Sequence, residues 1–151
     1  GYMGSSLAIA KACDKMQGQF TSATCSIAQR AAIAALDSPL TATMSMKAAF
    51  QKRRDLVYEL IKEIPGFITN KPAGAFYFFP DVTYYFGKKH AGGTINNAED
   101  LCMYLLTEAN VAVVSGDSFG SPNNIRFSYA TTEENLRIAM QRIKVELAKL
   151  V

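Results

Sequence analysis

A strand with strict two-residue alternation, placed directly after a glycine-bearing loop, constrains the fold of this 151-residue chain more than any other segment. Residues 115–130 read SGDSFGSPNNIRFSYA. Alternation gives the strand an apolar face, made of Ile125, Phe127 and Tyr129. Its opposite face carries Asn124, Arg126 and Ser128. The apolar face can pack on the helix that follows, so the strand belongs to a sheet covered on one side.

Arg126 is the candidate functional side chain on the opposite face of that strand. A guanidinium on rigid backbone beside a loop can hold a carboxylate through two parallel hydrogen bonds. Spacing alone favours the simpler interpretation, an exposed arginine on a half-buried sheet, because arginine is usually exposed. Both interpretations stay open on the pattern of the strand.

The rest of the chain alternates helical and strand patterns. Helices are predicted over 5–16, 24–36 and 43–64, and two more start at capping-box sequences at 97–100 and 131–134. Strands are predicted over 67–69 and 75–80, and a buried strand over 111–114. This order predicts an α/β fold in which a small mixed sheet has helices packed on one face.

Composition excludes several classes of protein. The net charge of +3, with basic residues spread along the chain, does not suggest nucleic acid, and no apolar run is long enough to span a membrane. Three cysteines without close spacing predict neither a disulfide framework nor a metal site, so we expect buried or half-buried thiols in a reducing cytoplasm. His90, the one histidine, is expected to be solvated in a mobile glycine-rich loop.

Three blocks of sequence, in order along the chain, carry a resemblance to a known family. They are QGQFTS followed by SIAQ within 17–29, KPAGAFYFFP at 71–80, and the loop and strand at 115–130. Together they resemble the class I aminotransferases, the aspartate aminotransferase-like enzymes of pyridoxal-phosphate fold type I. The resemblance spans nearly the whole chain.

The resemblance implies a domain organisation. Residues 1–42 would be a C-terminal strip of the large cofactor-binding domain, contributing two helices. Residues 43–151 would be the small C-terminal domain, including the long helix that connects the domains. The parent enzyme would be a cytoplasmic homodimer acting on amino acids and keto acids, with aspartate and 2-oxoglutarate as the expected pair.

The resemblance also assigns roles to site residues. Arg126 would bind the α-carboxylate of the amino-acid substrate. Phe119 would either line the substrate channel or act as a hydrophobic plug for its own loop. Thr21 and Ser22 would either approach the partner subunit's active site or simply cap the next helix.

The catalytic lysine of the family and the arginine that binds the cofactor phosphate precede a Gly-Tyr pair, which Gly1 and Tyr2 resemble. Both residues would therefore lie upstream, so this chain carries no catalytic residue and no main ligand of pyridoxal 5'-phosphate. We expect the chain alone to be inactive, since transamination needs that lysine amine. The alternative is a non-enzymatic α/β module that binds a small carboxylate or a protein partner.

Overall fold

The computed structural model describes residues 2–151. The chain divides into two compact units, Gly1–Ala42 and Thr43–Val151, and each is described by itself. The division falls near the start of a long helix. That the first unit is part of a larger cofactor-binding domain stays a prediction.

The first unit consists of two helices, α1 (Leu7–Phe20) and α2 (Ser26–Asp37). The prediction ended α1 before Gly18, but the helix continues through it. A glycine inside a helix costs only about 1 kcal/mol relative to alanine, and nothing lies within 4 Å of where its side chain would start. Neither helix contains a buried residue, and Ala10 alone in the two helices is half-buried.

The second unit contains the remaining three helices and all the strands of the described chain. The helices are α3 (Thr41–Lys62), which begins at the division, α4 (Ala98–Thr107) and α5 (Glu133–Leu147). The strands are β1 (Tyr77–Phe78), β2 (Lys89–His90), β3 (Gly93–Thr94), β4 (Val114–Ser115) and β5 (Ile125–Ser128). Two 3₁₀ turns, Thr83–Tyr85 and Gly116–Phe119, complete the unit.

The main sheet has three strands in the order β1-β5-β4, and β2 pairs with β3 in a separate hairpin. Tyr77 lies opposite Ser128 across the β1 pair, and Val114 lies opposite Arg126 across the β4 pair. All strand pairs within residues 2–151 are antiparallel. The predicted α/β class is confirmed. The prediction of a mixed sheet is wrong, because strands that are neighbours in the described sheets run in opposite directions.

One hydrophobic core joins the inner face of the sheet to the helices of the second unit. The sheet contributes Phe78, Ile125 and Phe127, and the following Tyr129 is also buried. The helices contribute Val57 and Ile61 from α3, Leu101 and Leu105 from α4, and Leu136, Met140, Ile143 and Leu147 from α5. Helices therefore cover one face of the sheet, and the other face remains available for a site.

Helix starts follow the predicted capping signals in one case and shift by one residue in the other. The Asn97 side chain accepts a hydrogen bond from the backbone N–H of Asp100 at 2.9 Å, as predicted for α4. At α5 the cap is Thr132, whose hydroxyl accepts from the N–H of Asn135 at 3.2 Å. The predicted box at 131–134 is therefore wrong by one position.

Three local predictions are corrected. The strand expected over 111–114 is instead Val114–Ser115, and Val114 is 41% exposed because alternation places it on the outer face. His90 lies in the β2–β3 hairpin with its ring 4.7 Å from that of Tyr104, so it is not in a mobile loop. Cys102 is buried, which raises the pKa of its thiol to about 11, but Cys13 and Cys25 are exposed.

Candidate functional site

Arg126 lies in the middle of β5, which is the central strand of the three-stranded sheet. Burial alternates along β5 as the sequence predicted: Ile125 and Phe127 are buried, Arg126 is half-buried and Ser128 is exposed. The guanidinium therefore stands on the sheet face opposite the core. Strand pairing on both sides holds its backbone.

Two aromatic rings contact the guanidinium. Its central carbon lies 4.4 Å from the ring centroid of Tyr77 and 4.3 Å from that of Phe119. Both distances are well within the range of cation–π interactions, which are stronger where water is partly excluded. These contacts use none of the N–H donors of the guanidinium.

The donors of Arg126 have no partner among residues 2–151. No carboxylate of this part of the chain forms an ion pair with the side chain, and no hydrogen bond from its guanidinium is formed there. The same residues contain no buried side-chain nitrogen without a partner, so the donor atoms keep contact with solvent. Asp117, the nearest acid that precedes Arg126 in the sequence, accepts a hydrogen bond at 3.1 Å from the hydroxyl of Ser115 to its carboxylate.

The loop before β5 places Phe119 against Arg126. Gly116 donates its N–H to the carbonyl of Asn124 at 2.7 Å, and its own carbonyl accepts from Ser121 at 3.0 Å. A Cβ at Gly116 would lie 2.1 Å from the Ser121 carbonyl oxygen, so only glycine fits this closed loop. Gly120 then takes a positive φ of 71°, a conformation that glycine adopts at low cost.

Asn124 shares the outer face of β5 but is used to hold the loop. Its amide donates to the carbonyl of Phe79 at 2.9 Å, and its side-chain oxygen accepts from the Ser121 hydroxyl at 2.7 Å. Arg126 therefore keeps its polar atoms available to a ligand, whereas the side-chain amide of Asn124 does not.

Thr21 and Ser22 lie in the connection between α1 and α2, and both are exposed. Thr21 ends α1, and its hydroxyl donates to the carbonyl of Gln17 at 3.3 Å. Ser22 has a positive φ of 65°. The capping alternative is wrong, because Cys25 occupies the cap position of α2 and no side chain caps that helix. The contact with a partner subunit stays a prediction.

The described residues do not fit pyridoxal phosphate in either unit taken by itself. The cofactor needs a lysine amine in a site that excludes water, but none of the lysines in residues 2–151 is buried. Several instead form surface ion pairs, including Lys71 with Asp55 at 2.8 Å and Lys144 with Glu63 at 2.8 Å. The Lys71 pair, together with Arg54, lowers the pKa of the Asp55 carboxyl.

A cavity of about 400 Å³ within the second unit is separate from Arg126. It lies between the first half of α3 and the segment Ala73 to Phe76, and Lys47 and Arg54 are its charged lining residues. The guanidinium of Arg54 donates to Asp55 at 2.8 Å and to the Pro72 carbonyl at 3.3 Å, which occupies its donors within the fold.

Sequence reasoning missed Tyr77 as a neighbour of Arg126. The aromatic residues 76–79 were predicted to alternate across a strand within a core-like block, with no link to Arg126. In the structure Phe78 is buried and Tyr77 is on the outer face. The alternation was visible in the sequence, but the pairing of β1 with β5, which brings Tyr77 to the guanidinium, was not.

Among residues 2–151, no helix is both long and apolar enough to cross a membrane. The same residues contain no group of three histidine, cysteine or acidic side chains arranged to hold a metal ion.

Comparison with known proteins agrees with this architecture. The family model described as "Aminotransferase class I and II" matches residues 1–143. The chain therefore belongs to the class I and II aminotransferase family, as its three sequence blocks predicted.

The relatives and solved structures that it matches include aspartate, aspartate/prephenate, aromatic and alanine aminotransferases. It is 44% identical over 156 residues to a bifunctional aspartate aminotransferase and glutamate/aspartate-prephenate aminotransferase of Petunia hybrida, covering 99% of this chain and 32% of the relative. It is 43% identical over 151 residues to an aspartate/prephenate aminotransferase of Cereibacter sphaeroides, covering 99% and 38%.

The fold matches a crystal structure of the aspartate aminotransferase from Rhizobium meliloti. The TM-score is 0.90 at 39% identity, and the match covers 95% of this chain and 36% of that one. The chain thus spans about a third of the length of the relatives it matches.

Proposed function

We propose that this chain is the C-terminal part of a pyridoxal-phosphate-dependent aminotransferase that transfers the amino group of aspartate or a related amino acid to 2-oxoglutarate. The names of its relatives support aspartate and prephenate as the substrate classes. The partial coverage of those relatives supports a longer parent protein, and we extend the homodimer of the family to that parent.

One observation carries the assignment of Arg126 as the binding group for the substrate carboxylate. Its guanidinium lies against two rings, has no acidic partner within residues 2–151, and keeps its donors accessible to solvent. An arginine whose only role was to stabilise the fold would be expected to donate hydrogen bonds to other groups of the protein. The non-enzymatic carboxylate-binding module would use the same side chain, and the family relatives favour the enzyme.

The test is Arg126→Lys in the full-length enzyme that contains these 151 residues. Lysine keeps the charge but loses the planar pair of donors. We expect kcat/KM for the amino acid to fall roughly 10- to 150-fold, because the loss of one of two charge-assisted hydrogen bonds costs about 1.5–3 kcal/mol. The absorbance of the bound cofactor should not change.

Arg137→Lys is the matched control, since Arg137 is an exposed arginine on α5. It should leave kcat/KM within twofold, a difference of about 0.4 kcal/mol. Wild-type kinetics in the Arg126→Lys enzyme would overturn the role of Arg126.

We also propose that the 151-residue chain alone does not transaminate, because no described lysine lies in an enclosed site. Incubation with pyridoxal phosphate and borohydride, followed by mass spectrometry of peptides, should give no stoichiometric adduct at a single lysine. Such an adduct would contradict this proposal.

A further inference from the structure

We propose that Tyr77 and Phe119 are positioning residues that hold the Arg126 guanidinium between their rings and leave only its edge to meet a ligand carboxylate. The carboxylate ligand rests on the proposed function. The positioning of the Arg126 side chain by the two rings is independent of that function and can be tested separately.

The two rings reach the guanidinium from opposite sides of the strand. Tyr77 belongs to β1, which pairs with one edge of β5. Phe119 follows β4, which pairs with the other edge. With centroid distances of 4.4 and 4.3 Å, both rings are close enough to restrict rotation of the guanidinium about the side chain.

Each ring is itself supported by a second aromatic residue. The Tyr77 ring lies 4.4 Å from the ring of Phe76, centroid to centroid. The Phe119 ring packs edge-on against Phe79 at 6.1 Å. These contacts reduce the freedom of the rings, so the orientation of Arg126 is set before any ligand arrives.

This arrangement decides how a carboxylate can approach. A guanidinium presents its N–H donors in its own plane, and the faces of that plane carry none. Because the rings contact the side chain without consuming a donor, the in-plane edge stays available. A ligand carboxylate is therefore expected to bind in the guanidinium plane with two parallel hydrogen bonds.

The positioning of the Arg126 guanidinium depends on the aromatic ring of Tyr77 and not on its hydroxyl. No hydrogen bond of the Tyr77 hydroxyl occurs within residues 2–151, whereas the hydroxyls of Tyr85, Tyr104 and Tyr129 all donate to backbone carbonyls. Replacement by phenylalanine should therefore preserve the orientation of Arg126, and replacement by leucine should remove it.

The experiment measures the order of the arginine Nε–H bonds in the ¹⁵N-labelled 151-residue chain by NMR relaxation. We expect an order parameter above about 0.6 for Arg126 in the wild type and in Tyr77→Phe. Tyr77→Leu and Phe119→Leu should each lower it below about 0.6, the range of flexible groups. Phe119 is 49% exposed, so its substitution tests the proposal even if Tyr77→Leu impairs folding.

Other arginines in the same spectrum supply the controls. Arg54 is held by Asp55 and should stay ordered in every variant, which reports an intact fold. Arg137 and Arg142 are exposed on α5 and should be mobile in every variant.

The proposal is overturned if Phe119→Leu leaves the order of Arg126 unchanged, or if Tyr77→Phe lowers it as much as Tyr77→Leu does. An Arg126→Lys enzyme with normal kcat/KM would remove the carboxylate role alone. In that case the order parameters would still decide whether the rings position the side chain.

Discussion

The two units of the chain place their apolar side chains in opposite environments. In the second unit Leu101, Leu105 and Ile125 are completely buried in one core. In the first unit Leu7 is 70% exposed and Phe20 is 81% exposed, although both belong to an amphipathic helix. An amphipathic pattern therefore identifies a face that needs cover, and it does not say whether the same segment supplies that cover.

The first unit is accordingly expected to depend on surfaces outside itself. Its helices have 14 and 12 residues, and isolated helices of this length are marginal in water. If residues 1–42 belong to a larger domain, as we propose, the rest of that domain would supply the missing contacts. Exposed apolar surface of this kind also tends to associate.

The largest expected effect compares the same substitution in the two units. Leu101→Ala removes a fully buried side chain from α4 and should lower the free energy of unfolding by about 4 kcal/mol. Leu7→Ala in α1 should change it by less than about 0.5 kcal/mol, because its side chain is already in water. Urea denaturation followed by tyrosine fluorescence would measure both values.

Equal losses in the two variants would contradict the comparison. That outcome would mean that the first unit contributes to a common cooperative transition. Unchanged denaturant slopes in both variants would confirm that only stability has been altered.

A smaller effect on the free energy of unfolding is expected from Tyr85. This residue lies in the core, and its hydroxyl donates a hydrogen bond to the carbonyl of Pro65. Burial raises the pKa of Tyr85 from 10.0 to about 12. The unfolded chain therefore loses this proton at lower pH than the folded chain. The contribution to stability is complete below pH 10 and is lost as the pH rises towards 12.

The expected loss from this group is about 1.4 kcal/mol at pH 11. The free energy of unfolding should be measured at pH 9 and at pH 11. Between these values it should fall by about 1.4 kcal/mol less in Tyr85→Phe than in the wild type. Tyr2→Phe, at a side chain 80% exposed in the first unit, is the control and should decline as the wild type does. If Tyr85→Phe declines as steeply as the wild type, the attribution to Tyr85 is wrong.

Much of the fold could be predicted because its signals are local. The alternation of Ile125, Arg126 and Phe127 gave both faces of β5, and the Asn97 cap gave the start of α4. Two predictions failed because the deciding contact is distant in sequence. The direction of the strands and the exposure of Val114 depend on which strands pair, and a single sequence does not state that.

In the candidate site, too, features that depend on local sequence were predicted, and a feature that depends on a distant strand pair was not. The strand pattern predicted that Arg126 lies on the outer face, and Phe119 was predicted either to line the substrate channel or to plug its own loop. Tyr77 was missed because 49 residues of sequence separate it from Arg126, and only the β1–β5 pair brings them together. The capping role weighed for Thr21 and Ser22 failed because Cys25 occupies the cap position of α2 and no side chain caps that helix.

The backbone bonds that flank β5 have a consequence for how its preceding loop can change. Ile125 donates to the Pro80 carbonyl at 3.2 Å and Tyr129 donates to the Phe76 carbonyl at 2.9 Å, which fixes the strand at both ends. A one-residue slip would turn every side chain to the opposite face, sending a guanidinium into the core and Ile125 into water. Insertions and deletions in the preceding loop must therefore be absorbed entirely within that loop, without any change in the phase of the strand.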